Sequence, residues 1–203
     1  LGDFLRLNLP GGFVRPWDDW MQTMLVGMRA HMGARWEGCY LSAPIWRFSL
    51  APGLCGARAV SGILMASVDR VGRQYPLTLA APCAGSDTTR RHFANDAVFA
   101  QLEEIALDTL ELDLGRAALA DRLAGVTLAD PAALGVAEVC TQAQQAADQG
   151  LSLGAGATAI WTAQLDDTHY RLRGMGLPDS LQAMAMFDPA ASVWRHGQAG
   201  ETE

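Results

Sequence analysis

Few residues in this chain have the types and spacing that do chemistry. Gly150-Leu151-Ser152-Leu153-Gly154 matches G-x-S-x-G, the pattern of a nucleophile elbow, which holds a serine in a strained turn between a strand and a helix. Asp166 and His169 follow it in the chain. A hydrolase using Ser152 and His169 is therefore one functional reading. The flanking pattern runs the wrong way for it, with a helical stretch before the serine and a strand-like stretch after. Gly154-Ala155-Gly156-Ala157-Thr158-Ala159 loosely resembles a dinucleotide glycine loop. It precedes a strand instead of following one, and it lacks the acidic residue such a loop needs.

Asp69-Arg70-Val71-Gly72-Arg73 is the densest charged stretch between apolar runs. A phosphate cradle would need a lysine and a following helix. All fifteen basic residues are Arg, and a strand pattern follows Arg73. The stretch reads as a hairpin turn, with Gly72 taking the positive φ that a bulge needs. Asp69, Arg70 and Arg73 then crowd its tip. They either brace it as an internal ion pair or present charge to a partner.

Cys39, Cys55, Cys83 and Cys140 form no C-x-x-C, and His31, His92, His169 and His196 are scattered. No metal-ligand spacing results. Buried free thiols in a reducing cytoplasm are expected. Glu103 and Glu104 are neighbours on a helical pattern and read as a solvated face. No cofactor pattern passes its context test, and no cofactor is expected.

The net charge is −7 over 203 residues, which argues against nucleic acid as a partner, since that needs a dense basic face. No apolar run approaches the length of a membrane helix, so no membrane insertion is expected. The chain starts at Leu1, and a missing natural start is expected.

The elements that position these residues follow from periodicity. Pro16 begins a predicted helix, with Asp18 and Asp19 in its first turn. Trp17, Trp20, Met21, Met24, Leu25 and Met28 form its apolar stripe. Residues 45–50 alternate Trp46, Phe48 and Leu50 against Ile45, Arg47 and Ser49, as a strand does. Residues 59–68 read as a central strand, and 73–81 as an edge strand because of Pro76. One long helix is predicted within 85–112, with Ser86 or Asp87 as cap, and two more over 115–125 and 130–150. Residues 150–157 read as a Gly-rich bridge, 158–165 and 169–175 as a hairpin, and 177–188 as a short helix. The last fifteen residues read as loosely ordered.

Strands, then helices, then strands predict one α/β domain of the α+β type. Its central sheet is antiparallel or mixed, with helices packed on its faces. Trp36, Trp46, Trp161 and Trp194 compete for core positions. Trp and Arg dominate protein contact sites, so Trp46 beside Arg47 is a candidate contact patch, against the alternative that Trp46 is buried.

Four strings together resemble the type VI secretion-associated TagF (ImpM) family: "GDF" at 2–4, "LP..FVRPWDDWMQ" at 9–22, "YLSAPIWRFSLAPGLCG" at 40–56 and "GILMASVDRVGRQYPLTLAAP" at 62–82. Beyond residue 85 only the strand pair near 158–175 is similar. The family usually has a short Gly-Lys-Leu-Pro segment before GDF, absent here.

The resemblance implies a mixed α/β fold and a cytoplasmic, non-catalytic repressor of secretion-system assembly. It implies a forkhead-associated scaffold protein as partner. Family signature positions fall on Gly2, Asp3, Phe4, Pro16, Trp17, Trp46, Arg47, Phe48, Ser67, Asp69, Arg70, Gly72, Arg73, Pro76 and Leu77. Among these, Asp3, Trp46, Arg47, Asp69, Arg70 and Arg73 are the candidate partner-binding residues. A structural assembly component is the remaining alternative.

Overall fold

The strand that alternates Trp46, Phe48 and Leu50 with polar residues sits at the centre of the sheet, one face to each of two helical layers. The computed structural model describes residues 9, 11–69, 71–85, 87–111, 116–128, 149–152 and 158–194. The chain begins with α1 (Gly11–Met32), a 3₁₀ turn (Gly33–Arg35) and α2 (Trp36–Leu41). Three strands follow: β1 (Trp46–Leu50), β2 (Ala59–Met65) and β3 (Leu77–Cys83). Then come α3 (Thr88–Ala94), α4 (Asp96–Glu111) and α5 (Arg116–Ala124). The chain returns to the sheet with β4 (Gln149–Ser152), β5 (Ala159–Leu165) and β6 (Thr168–Gly174), and α6 (Ser180–Phe187) closes the set.

The sheet order is β3-β2-β1-β5-β6-β4. Every pairing is antiparallel except β4 with β6. The expected mixed sheet with helices on its faces is the observed fold.

One face carries the larger core. Trp17 of α1 stacks on Phe48 of β1 at 4.8 Å and on Trp161 of β5 at 5.9 Å. Met21, Met24, Leu25 and Met28 extend the same stripe and are buried, as their spacing predicts. The other face packs α4 through Phe99, Leu102 and Ala106 onto Ile63, Met65 and Leu79. β2, covered on both sides, is buried along its whole length.

Several expectations need correction. α1 starts at Gly11, and Pro16 lies inside it. Burial of Phe13 and its stacking on Trp17 at 5.2 Å outweigh the hydrogen bond that proline removes. Asp18 and Asp19 are therefore past the first turn. Asp18 accepts from the Tyr75 hydroxyl at 3.4 Å, and Asp19 pairs with exposed Arg15.

The single helix expected within 85–112 is two, α3 and α4. Buried Asn95 stands at the break and turns its Nδ2 back onto the Arg91 carbonyl at 2.8 Å, a local bond that competes with helix continuation. Asp87 is the cap of α3, accepting from the Arg90 amide. Residues 149–152 are strand, not bridge or helix, because they find a parallel partner in β6.

The C-terminal stretch is packed as far as Trp194. That indole is buried, stacks on Trp46 at 6.0 Å and donates to the Ala185 carbonyl at 3.0 Å. The rest of the helix expected over 130–150 lies outside the described residues. Among the described residues no helix is long and apolar enough to cross a membrane.

Gly62 faces β3 so closely that a Cβ there would meet the Ala80 Cα and Cβ at 2.6 Å. Gly62→Ala should cost about 3 kcal/mol through overpacking at a central strand, read as a lower urea midpoint with an unchanged m-value.

Candidate functional site

The hairpin arm between β2 and β3 is anchored at its base by α1 and α2. The Tyr40 hydroxyl donates to the Ser67 carbonyl at 2.7 Å and accepts from the Ser67 amide at 3.0 Å. Burial, opposed by the Ser67 bond and the Arg29 charge, pushes that phenol up to about 12. The Trp36 indole donates to the Gln74 Oε1 at 2.5 Å. Arg29 lies 5.5 Å over the Trp36 ring and also bonds Gln74. Signature position Ser67 thus holds the arm through its backbone.

The tip closes on one carboxylate. The Gly72 amide donates to the Asp69 carbonyl at 3.0 Å, and Gly72 takes φ +82°, as the turn reading requires. Asp69 Oδ1 accepts from the Val71 amide at 2.9 Å and the Arg73 amide at 2.8 Å. Its Oδ2 accepts from Arg73 Nε at 2.5 Å. Desolvation opposes ionisation, but the bonds from Arg73 and Val71 prevail and hold this carboxyl below its ordinary value. Asp69 points into the turn, with a side chain only 15% exposed. It braces the tip, as one of the two sequence readings allows. What the tip shows outward is Val71, 75% exposed, and Arg73, 62% exposed at its side chain.

The other candidates do not join the tip. Trp46 is not a contact residue: it is 1% exposed, and its indole donates to the Met186 carbonyl at 2.8 Å. Its strand alternation aims it into the aromatic core. Trp36, Trp161 and Trp194 are buried too. Arg47 lies on the opposite face of β1, where Nε and Nη2 grip Glu103 at 2.6 and 2.7 Å and Nη1 meets Asp96 at 2.5 Å. Burial lowers its pKa, but the bonds and charges of Glu103 and Asp96 outweigh that and raise it. Glu103 is therefore a clamp, not part of a solvated face. Asp3 and Arg70 lie outside the described residues. Val71 was missed by sequence reasoning. The signal for it was an apolar residue at the crest of a charged turn.

Beneath Arg47 runs a buried polar seam. His92 touches Ser49 Oγ through Nδ1 at 3.1 Å and Thr162 Oγ1 through Nε2 at 2.8 Å. Ser49 continues to Ser61 at 2.9 Å. Burial, with the charges of Arg47 and Arg91, depresses His92 to about 3. A histidine so depressed stays neutral and is a poor proton acceptor at neutral pH. Arg91, fully buried, donates to the carbonyls of Gly85 and Leu50 and ties α3 to the end of β1.

A cleft of about 230 Å³ opens beside the seam, lined by Arg47, His92, Asp96, Thr162, Gln164 and His169. It is smaller than ordinary small-molecule pockets of about 300–1,000 Å³. His169 is at this cleft, but Ser152 pairs with Arg173, four residues further along β6. At strand rise the two positions are about 13 Å apart, beyond the reach of a nucleophile–base pair. The next described element after Ser152 is a strand, not the helix of an elbow. Cys39, Cys55 and Cys83 are free, and burial pushes the Cys55 thiol up to about 11; Cys140 lies outside the described residues.

Residues 1–126 match the model of the TagF N-terminal domain, described as type VI secretion system-associated. The chain belongs to that family. It is also similar to the crystal structure of PA0076 from Pseudomonas aeruginosa PAO1, with a TM-score of 0.75 and 30% identity over 94% of this chain and 90% of that one. A comparison with curated proteins finds no match. The TagF match ends before β4, β5 and β6, yet β5 pairs with β1 inside the match. The likeness to PA0076 spans both parts.

His92 predicts a pH dependence. Its folded value lies below its unfolded 6.5, so its stability contribution is full above pH 6.5 and is lost as pH falls toward about 3. From pH 6.5 to 5 wild type should lose about 1.7 kcal/mol more than His92→Gln, the slope steepening toward about 1.4 kcal/mol per pH unit at the acid end, measured by urea unfolding.

Proposed function

We propose that this TagF-family chain is a non-catalytic regulator that restrains type VI secretion assembly in the cytoplasm by binding a forkhead-associated scaffold protein through its hairpin tip. Family membership supports the association with that secretion system. The observation that carries the binding reading is the tip itself. Asp69 holds the backbone amides of Val71 and Arg73 with two bonds and the Arg73 side chain with a third, and Tyr40, Trp36 and Arg29 fix the arm beneath. A protrusion already held in one conformation loses little entropy on docking. It presents an apolar anchor flanked by a guanidinium, the pairing that recurs at contact hot spots.

The polar residues elsewhere serve the fold. Arg47 is held by the carboxylates of Glu103 and Asp96, and His92 joins the sheet to α3. This favours display over turnover. A hydrolase built on Ser152 and His169 lacks proximity. A structural assembly role would use the same tip and differs only in the effect of deleting the protein.

The test is co-purification with the scaffold protein of the same gene cluster, followed by affinity measurement on variants. Val71→Asp and Arg73→Gln should each weaken the complex about tenfold or more while leaving the melting temperature near wild type. Unchanged affinity removes the tip from the interface. No complex with the unmodified chain removes the scaffold reading.

A further inference from the structure

The polar seam does not stop at Ser61. The Ser61 hydroxyl also meets Cys83 Sγ at 3.5 Å. Cys83 is the last residue of β3, is half-buried, and pairs with Ala59 of β2. Ala59 stands two residues from Ser61, so strand alternation puts the thiol on the α3 side of the sheet with Ser61 and Ser49. A run of polar contacts thus leads from a partly open thiol through Ser61 and Ser49 to His92 and Thr162.

Arg91 reaches the same end of the sheet from α3. Its Nη2 donates to the carbonyl of Leu50, the last residue of β1, and its Nη1 to the carbonyl of Gly85, two residues past β3. Leu50 faces Val60, and the adjacent Ala59 faces Cys83. The guanidinium therefore spans the strand ends where the thiol sits. Burial lowers the Arg91 pKa, and Cys83 and Asp87 are the groups that oppose this. Arg91 is fully buried, and its acceptors are two carbonyls and the Thr88 hydroxyl, with no carboxylate among them. Both Nη groups are engaged, whereas Nε is buried and has no acceptor. Buried donors are almost always matched, so this exception asks for an explanation. One N–H remains for a group that arrives at the sulfur.

We propose that Cys83 is an oxidative modification site, converted by hydrogen peroxide to a sulfenic acid whose oxygen takes the free Arg91 Nε–H. The sulfur, as thiolate, attacks one peroxide oxygen. The S–O bond forms as the O–O bond breaks, and the sulfur gives two electrons to the peroxide. The second oxygen leaves as hydroxide and takes up the proton that the thiol lost, forming water. A guanidinium beside a partly exposed sulfur is the setting in which thiols react, because the anion is the nucleophile, and the same charge stabilises the departing hydroxide. Ser61 adds a hydroxyl on the other side of the sulfur. Cys55 is buried and lacks such a setting in sequence and burial alike. Sulfenic acid is the reversible first step of thiol oxidation. The site is independent of the scaffold reading, because it lies at the far end of β3 from the hairpin tip.

The test treats the full chain with hydrogen peroxide in the presence of dimedone, which traps sulfenic acids, and reads each cysteine by peptide mass spectrometry. Cys39, equally half-buried, is the reference within the same molecule. Cys83 should be labelled about tenfold or more faster than Cys39. Without dimedone, one equivalent of oxidation should move the Arg91 Nε–Hε signal in the NMR spectrum, and Cys83→Ser treated in the same way should leave it in place. Arg91→Gln, if its melting temperature shows it folded, should bring Cys83 labelling down toward the Cys39 rate. If that variant does not fold, the labelling ratio and the Arg91 signal of the unmodified chain decide. Labelling of Cys83 no faster than Cys39 overturns the proposal. So does an Arg91 signal unmoved by oxidation at Cys83.

Discussion

The pairing of β1 with β5 is the constraint on which the rest of the structure depends. It joins strands more than a hundred residues apart in the chain and places Phe48 opposite Trp161. Trp17 then lies against both rings. Offset aromatic contacts of this kind add to what burial alone supplies. Because β1 is also the partner of β2, the same strand fixes the hairpin arm on one side and the β5–β6 ladder on the other. The two halves of the sheet cannot shift independently without breaking that aromatic layer.

This arrangement separates frame from display. β1 sends Trp46, Phe48 and Leu50 into one core and Arg47 and Ser49 into the opposite layer, where Glu103, Asp96 and His92 meet them. Buried polar groups require matched partners, and these find one another across α3, α4 and β5. Residues that look reactive as types are thereby spent on registration of helices against the sheet. The hairpin tip differs because its polar atoms are satisfied locally by one aspartate, which leaves Val71 and the arginine side chain facing outward.

Much of this was legible in the sequence. The α1 stripe, the alternation at 45–50, the hairpin over 158–175 and the Gly72 turn follow directly from periods of 3.6 and 2 and from turn chemistry. What was not legible depends on distant partners. Trp46 looks like any strand tryptophan until Met186 and Trp194 arrive over a hundred residues later. Residues 149–152 straddle the end of an expected helix and the start of a Gly-rich bridge, and only β6 makes them a strand. Asn95 splits a helix through a side-chain bond that periodicity does not register. Asp69 could have faced either way, and the decision rests on backbone geometry at Val71 and Arg73.

Native-state hydrogen exchange tests the central claim, that β1 and β5 form one inseparable unit carrying both halves of the sheet. The amides of Phe48 and Trp161 should exchange only through global unfolding, with the same free energy and the same denaturant dependence. Exchange of the Trp161 amide through a lower-energy opening, with Phe48 still protected, would contradict it.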